Sequence, residues 1–468
     1  MNIKNFYPKV KYNLDIKGIT SNSKEVKKDY IFVAIKGQKN DGKKYIKDAI
    51  KNGASLIITN KYFISPTKKI IVVNPKLELI RLLQIFYSYK NNIYTVGVTG
   101  TDGKTTTSTL LNSVFNRINK SALISTNGIN YLNRKVKTNN TTPSASIIYQ
   151  AYSVFNKHNI KDLVMEISSE AILDKRVHNY IFNGVIMTNL THEHLNTHKT
   201  MDSYFKCKMK LFESLSSSAL AVINADCPYS AKIPYYTTAK VITYGIEQGD
   251  YKASNLIITP NYSEFDVYYK NKYLYHFKIN LFGKYNIYNA LAVIAYTYEL
   301  GIPIDVIEVG LLDVKYIKGR NIRYFVNNIT VIIDYAHTPN SIYNLLDNVK
   351  LFTKGKIILV MGSQGEKDKS KRTIMAKIGV FLADIVVFTS EDPKDESVFS
   401  ILSDLTKDID NTDYYITYFR EDGIKLAINL AKENDSIIIV GKGDEEIEVI
   451  NGINFKHNDL DIVKKYLK

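Results

Sequence analysis

Apolar positions fall into two rhythms along this chain: short unbroken runs that read as buried strands, and positions three and four apart that read as amphipathic helices. In residues 1 to about 88 the two alternate in short pieces. Tyr45, Ile46, Ala49 and Ile50 have helical spacing, Gly53 ends that helix, and Leu56-Ile57-Ile58 follows as a buried strand. From 89 to 316, strands at 93–98, 163–167 and 185–189 alternate with helices, one of which carries Leu110, Leu111, Val114 and Phe115. Such alternation predicts a parallel sheet with its ligand site at the carboxyl ends of the strands. The pattern restarts at 317, where strands at 331–333, 357–361, 385–389 and 437–440 are separated by amphipathic helices. One of these helices carries Ile342, Leu345, Leu346 and Val349, another Met375, Ile378 and Phe381. The expected fold is α/β in three domains, 1–88, 89–316 and 317–468, the last a second doubly wound unit.

Composition changes this picture little. The 468 residues are 45% hydrophobic and 23% charged, ordinary values for a folded globular protein with a sizeable core. A formal net charge of +16 would suit nucleic acid, an anionic membrane surface or acidic small substrates. Lysine, asparagine, isoleucine and the 35 tyrosines are spread throughout, so the charge biases the chain toward anionic ligands without marking a nucleic-acid stripe. Cys207 and Cys227 lack C-x-x-C spacing, which implies neither a disulfide framework nor a zinc site. The N-terminal stretch is polar and broken by lysine, unlike a signal peptide, and no apolar run is long enough to cross a bilayer. A cytoplasmic enzyme without membrane insertion is expected.

The chemistry concentrates in Gly97-Val98-Thr99-Gly100-Thr101-Asp102-Gly103-Lys104-Thr105-Thr106-Thr107, between an apolar strand and a helix. Glycines there let the backbone approach a polyphosphate, N–H groups of the helix start point at the anion, Lys104 adds a point charge and the Thr105 hydroxyl suits Mg²⁺. Val98 occupies the place of the usual loop's first glycine. The next strand ends supply Glu166-Ile167-Ser168-Ser169-Glu170 and Asn189-Leu190-Thr191-His192-Glu193-His194. A carboxylate and an imidazole there are candidate Mg²⁺ ligands, although imidazole is an unusual donor for so hard a cation. Ser21-Asn22-Ser23-Lys24 and Gly37-Gln38-Lys39-Asn40-Asp41-Gly42 read, on their own, as solvated turns. Polar loops in all three regions imply that domain closure assembles the site.

The order of T-G-T-D-G-K-T-T-T, M-E-I-S-S, T-N-L-x-x-E-H-L, Y-F-K-C-K, G-R, D-Y-A-H-T-P, S-E-D-P-K and G-K-G-D-E closely resembles the Mur ligases, and among them the MurE type, UDP-N-acetylmuramoyl-tripeptide synthetases. The resemblance covers nearly the whole chain. It implies an N-terminal UDP-MurNAc-binding domain, a central P-loop ATPase domain and a C-terminal Rossmann-like domain. It also implies ATP and two Mg²⁺ ions, and an amide formed through an acyl phosphate with release of ADP and phosphate. On this resemblance Lys104, Glu166, His194 and Lys208 are catalytic, and Thr105, Glu166, His194 and Lys208 hold metal. ATP falls to Gly100, Thr101, Asp102, Gly103, Lys104, Thr105 and Thr106, with Asn286 and Asn289 on the adenine side, Arg320 at the hinge, Asp334 at the ribose and His337 near the base. Lys208 stands where the family lysine is carbamylated to N6-carboxylysine, since an ammonium cannot ligate Mg²⁺ and a carbamate can. Without the motif order, Lys206, Lys208 and Lys210 read as one solvated charged face.

The UDP-muramoyl peptide is implied at Ser21, Ser23, Gln38, Lys39 and Asn40, then at Asn140, Thr141, Thr142, Ser168, Asp174 and Arg176. Asp174 stands where the family often has an amide. Arg372, Glu391, Asp392, Pro393, Lys394, Gly441 and Glu445 correspond to the incoming amino-acid pocket. Diaminopimelate-adding members carry D-N-P-R, whose arginine grips the distal carboxylate; here Lys394 keeps the charge without the fork, and Glu391 keeps an acid for an ammonium. Repulsion between Lys394 and the side chain of L-lysine favours meso-diaminopimelate as the amino acid added to UDP-N-acetylmuramoyl-L-alanyl-D-glutamate, in peptidoglycan precursor synthesis. Lys394 could instead turn to Asp392 or Asp395. The expected partners are these two small molecules and no nucleic acid, and the expected state is a monomer. A folylpolyglutamate- or cyanophycin-type ligase is the alternative within the superfamily, and a P-loop NTPase acting on nucleic acid the alternative outside it.

Overall fold

Tyr94–Thr99, the strand that feeds the phosphate loop, lies between Gly184–Met187 and Asp162–Glu166 and runs parallel to both. The structure, a computed structural model, describes residues 1–37, 40–193, 195–409 and 414–467. Leu220–Asn224 and Lys240–Gly245 continue the parallel sheet on one side and Ser121–Ser125 on the other. Both faces are covered, as expected of strands joined by helical crossovers. Val164 and Ile186 pack with Lys104–Asn116 and Lys284–Glu299, whereas Leu163, Met165, Val185 and Met187 pack with Ala145–Lys157 and Met201–Glu213.

At its edges this sheet becomes antiparallel, through the meander Tyr251–Ile258, Ser263–Tyr269 and Lys272–Ile279 and the hairpin Gly128–Tyr131 and Arg134–Val136. Unbroken apolar runs predict neither, because buried and solvent-facing residues alternate in the meander, as in antiparallel strands with one open face, and the second hairpin strand is exposed.

The N-terminal sheet has four parallel strands in chain order: Gly18–Thr20, Tyr30–Val33, Ala54–Thr59 and Lys68–Ile71. Helix Pro75–Phe86 starts where the Asn74 side chain accepts the N–H groups of Lys76 and Leu77. Its Leu79, Ile80, Leu82 and Leu83 enter a core that runs without a break from Ile19 and Ile58 to Leu163 and Met187 of the central sheet. The C-terminal sheet runs Ile322–Val326, Ile329–Asp334, Ser436–Val440, Ile357–Met361, Ile385–Phe388, Tyr414–Ile416, all parallel except the first. Helix Pro339–Lys350 opens on a capping box between Thr338 and Ser341. No described helix is long and apolar enough to cross a membrane.

Candidate active site

A cleft of about 1340 Å³ opens between the three sheets, and the phosphate loop forms its floor. Gly100 (φ 149°) and Gly103 (φ 81°) hold left-handed backbone, and a Cβ would strike the Thr188 hydroxyl at the first and the Asn289 side chain at the second. Val98 is fully buried within the strand, so the missing glycine belongs to the core and the loop proper begins beyond it. Lys104 Nζ donates to Thr101 O (2.7 Å) and Gly100 O (3.2 Å). Burial lowers the pKa of its ammonium, with Glu166 and Asp102 opposing. Asp102 reaches the C-terminal domain, accepting from the Thr338 hydroxyl at 3.3 Å and the Asn340 amide at 3.4 Å.

Beneath the loop, Glu166 ends the strand Asp162–Glu166 and is fully buried. The hydroxyls of Thr105 (3.2 Å), Ser108 (3.3 Å) and Thr126 (3.2 Å) and the Thr126 N–H (3.2 Å) donate to its carboxylate. Burial raises its pKa while Lys104 works against that shift. Lys208 projects from helix Met201–Glu213, 1% exposed, and donates to Gly100 O (3.0 Å) and Thr99 Oγ1 (3.2 Å). Burial first, then Lys104, lower its pKa to about 7. An all-oxygen set of one carboxylate and re-orientable hydroxyls fits a hard cation such as Mg²⁺. Among the described residues no three His, Cys, Asp or Glu side chains converge as a metal cluster. His194 lies outside the described residues.

On one wall, Asn289 Nδ2 donates to Asn286 (3.2 Å) and its Oδ1 accepts the Thr107 hydroxyl (3.2 Å), which locks helix Lys284–Glu299 to the phosphate loop. Arg320 lies 4.7 Å from the centre of the Tyr335 ring. Asp334 accepts the N–H groups of Asn321 and Ala336, each at 2.8 Å. Burial raises its pKa, with Arg320 opposing. His337, whose Nδ1 is 2.7 Å from Tyr335 O, lines the same wall, as does Thr106.

Asn40, Asn140, Thr141, Ser168, Asp174 and Arg176 line the cleft toward the N-terminal domain. Asp174 pairs with Arg176 (3.1 Å) and with Lys76 (3.3 Å), so this acid is a tie between domains. Several expected contacts lie off the cleft lining. Ser21 and Ser23 do not line the cleft; Ser23 is buried in the turn after strand Gly18–Thr20. Thr142 does not line it either, because its hydroxyl donates to Glu166 O (2.8 Å) and accepts the Ser168 N–H (2.9 Å). Gln38 and Lys39 lie outside the described residues.

In the C-terminal domain, Glu391, Lys394 and Glu445 face the cleft. Arg372 does not: its guanidinium is fully buried and donates to Glu396 and Asp404, each at 2.8 Å, and to Gln364 O. Asp392 is turned inward, accepting from Lys442 Nζ (2.8 Å) and the Val449 N–H (2.9 Å), and Pro393 packs its carbonyl over Gly365. Lys394 makes no ion pair among the described residues and does not turn to Asp392 or Asp395. Gly441 (φ 107°) lets the Glu391 carboxylate lie where a side chain would stand. Burial pushes Glu391 up to about 7, against Arg420, Lys442 and Lys371.

Three cleft lysines were not anticipated: Lys284, Lys367 and Lys371. Lys367 is near enough to Lys394 that, after burial, this neighbour lowers its pKa. Lys371 donates to both carboxylate oxygens of Glu193 at 3.2 Å and to His337 O at 2.7 Å. In Lys367-Asp368-Lys369-Ser370-Lys371 every second residue is lysine, and only the fold separates those facing the cleft from Lys369, which pairs with Glu396.

Family models described as "Mur ligase middle domain", "Mur ligase, glutamate ligase domain" and "Mur ligase family, catalytic domain" match residues 98–297, 320–443 and 15–85. The chain is 35% identical over 474 residues to the UDP-N-acetylmuramoyl-L-alanyl-D-glutamate--2,6-diaminopimelate ligase of Clostridium botulinum, covering 97% of this chain and 95% of the relative. It is 36% identical over 455 residues to the protein of the same name from Aquifex aeolicus, covering 97% and 94%. A solved structure of a ligase with that name superposes with a TM-score of 0.67 at 23% identity, over 100% of this chain and 98% of the other.

Proposed function

Since the chain belongs to the Mur ligase family, we propose that it joins meso-diaminopimelate to UDP-N-acetylmuramoyl-L-alanyl-D-glutamate at the expense of ATP. The observation that carries this reading is the pairing, across one cleft, of a phosphate loop with a pocket of mixed charge: Glu391 and Glu445 beside Lys367 and Lys394. Two carboxylates and two ammonium groups complement a substrate that itself bears two of each. Free L-lysine has no distal carboxylate to meet the second cation, and its ammonium would be repelled there.

In this reading Lys104 and the loop N–H groups neutralise the phosphates as the glutamyl carboxylate takes the terminal phosphoryl group and ADP leaves. Arg320, Asp334, His337, Asn286 and Asn289 hold the nucleotide. Asn40, Asn140, Thr141, Ser168 and Arg176 hold the UDP-muramoyl peptide, with the N-terminal domain spanning 1–88, the central one 89–316 and the C-terminal one 317–468. Glu391 takes an ammonium of the amino acid, whose reacting amine attacks the acyl phosphate and expels phosphate. Two Mg²⁺ ions would spread the charge developing between the phosphates and the acyl oxygen. Glu166, Thr105, His194 and a carbamate on Lys208 would hold them. A buried lysine whose pKa falls to about 7 presents free amine to CO₂, forming the N–C bond with loss of one proton. In this reading the enzyme works as a monomer in the cytoplasm.

The test is kcat/KM for meso-diaminopimelate and for L-lysine, in the parent and in Lys394→Ala. A parent preference for diaminopimelate that shrinks in the variant is expected. Preference for L-lysine, unchanged by the substitution, overturns the amino-acid assignment. Absence of phosphate release dependent on both the UDP-muramoyl dipeptide and an amino acid overturns the ligase.

A further inference from the structure

Behind the proposed amino-acid pocket, on which this inference rests, lies a charged pair with no contact to the cleft. Arg420 opens helix Arg420–Leu430 and Asp459 opens helix Asp459–Tyr466; both side chains are 0% exposed. The guanidinium meets the carboxylate through two parallel bonds, Nε to Oδ1 and Nη2 to Oδ2, each 2.8 Å. His457 Nε2 lies 2.7 Å from the same carboxylate, a contact that ties in the hairpin Ile447–Ile450 and Ile453–Lys456.

Two further N–H groups of Arg420 go to backbone carbonyls: Nη2 to Val440 O at 2.8 Å and Nη1 to Ser390 O at 3.4 Å. Val440 ends strand Ser436–Val440 and Ser390 follows strand Ile385–Phe388, and Ile357–Met361 separates the two strands. Arg420 thus spans the carboxyl edge of the sheet across an intervening strand. The next residue after each carbonyl is a pocket residue, Glu391 in one case and Gly441 in the other, and the Glu391 carboxylate lies directly against Gly441. A buried ion pair adds little net stability over an apolar pair of the same volume, because desolvation offsets the attraction. What an apolar pair cannot supply is the N–H donors for those two carbonyls.

We propose that Arg420, held by Asp459, is the positioning residue of the amino-acid pocket, fixing the two strand ends at the spacing that presents Glu391 to the incoming amine. Arg420 is also the strongest positive influence on Glu391, so the same side chain favours its carboxylate form.

Steady-state kinetics on the full-length enzyme separates this role from a structural one. In Arg420→Lys, and in the paired replacement Arg420→Met with Asp459→Leu, KM for diaminopimelate should rise about 10- to 100-fold, the range for losing a charged hydrogen bond. KM for ATP and for the UDP-muramoyl dipeptide should stay within about twofold, whereas the thermal midpoint of the paired variant should fall, because the Ser390 and Val440 carbonyls and His457 lose their partners. Arg420→Lys, which keeps the charge and one donor, should be the milder of the two. Three KM values that rise together or not at all, or a paired variant that does not fold, overturn the positioning role. A parent that forms no amide overturns the ligase reading instead.

Discussion

Lys104 and Lys208 donate to the same acceptor, the carbonyl of Gly100, from opposite sides of the phosphate loop. Two ammonium groups so close, both out of water, favour the neutral form of one, and Lys208 is the one brought to about 7. Lys208→Ala should therefore cost ligation about a hundredfold or more, as loss of a charge-stabilising group does, and formate or acetate should restore part of it. Full turnover of the folded variant would remove Lys208 from the reaction. Glu391 titrates in the opposite sense. Burial pushes it up to about 7 from an ordinary 4.5. Its folded form binds a proton that its unfolded form releases, so its contribution to stability is present below about 4.5 and is lost as pH rises through 7. Affinity for the amino acid follows the carboxylate, so KM for diaminopimelate should rise about tenfold from the alkaline plateau to pH 6. Glu391→Gln should flatten that limb at a high KM. A parent KM that is level from pH 6 to 8 would rule out an ionised Glu391 as the ammonium partner.

Elements that place the phosphate loop were legible where burial covers both faces of a strand. The apolar runs at 93–98 and 163–167 became Tyr94–Thr99 and Asp162–Glu166, shifted by one residue. The meander 251–279 escaped a reading that rested on unbroken apolar runs, since its strands bury alternate residues only, as Phe265 and Val267 do between Glu264 and Asp266. Side-chain direction was the larger gap. Arg372, Asp392 and Thr142 sit within the right motifs, yet each is consumed by internal partners, whereas Lys367 and Lys371 face the cleft from a stretch whose lysines look alike. Motif order locates a loop; which of its residues turns outward depends on partners distant in sequence. The junction of loop and helix at Gly103 gives a direct check, because a Cβ there strikes Asn289 and the φ of 81° suits glycine alone. Gly103→Ala should fold, but the rise in thermal midpoint caused by saturating ATP analogue should vanish. A ligand shift equal to the parent's would show that the loop tolerates displacement of helix Lys284–Glu299.

Across the whole molecule the two domain junctions differ in chemistry. The N-terminal sheet shares an unbroken apolar core with the central one, which Leu79, Ile80, Leu82 and Leu83 enter from the N-terminal side. The C-terminal domain meets the central one across the cleft through polar ties, Lys371 with Glu193 and Asp102 with Thr338 and Asn340, and through one apolar anchor, Phe282, which is buried in the C-terminal core beside Phe352. A junction of that kind opens more readily than a shared core. Substrates must enter and a nucleotide product must leave, so the C-terminal domain is the body expected to move. Lys371 is the sensitive point, since its side chain is 5% exposed and binds both Glu193 and the His337 carbonyl. Breaking a buried pair costs about 3–5 kcal/mol, comparable with the roughly 5.5 kcal/mol that carries a two-state equilibrium from 1:99 to 99:1. Lys371→Met should therefore enlarge the radius of gyration of the ligand-free enzyme in small-angle X-ray scattering, with the far-UV spectrum unchanged. High salt should affect the parent little, because the pair is buried and weakly screened. Superimposable scattering curves for parent and variant would mean that closure does not depend on the Lys371 pair.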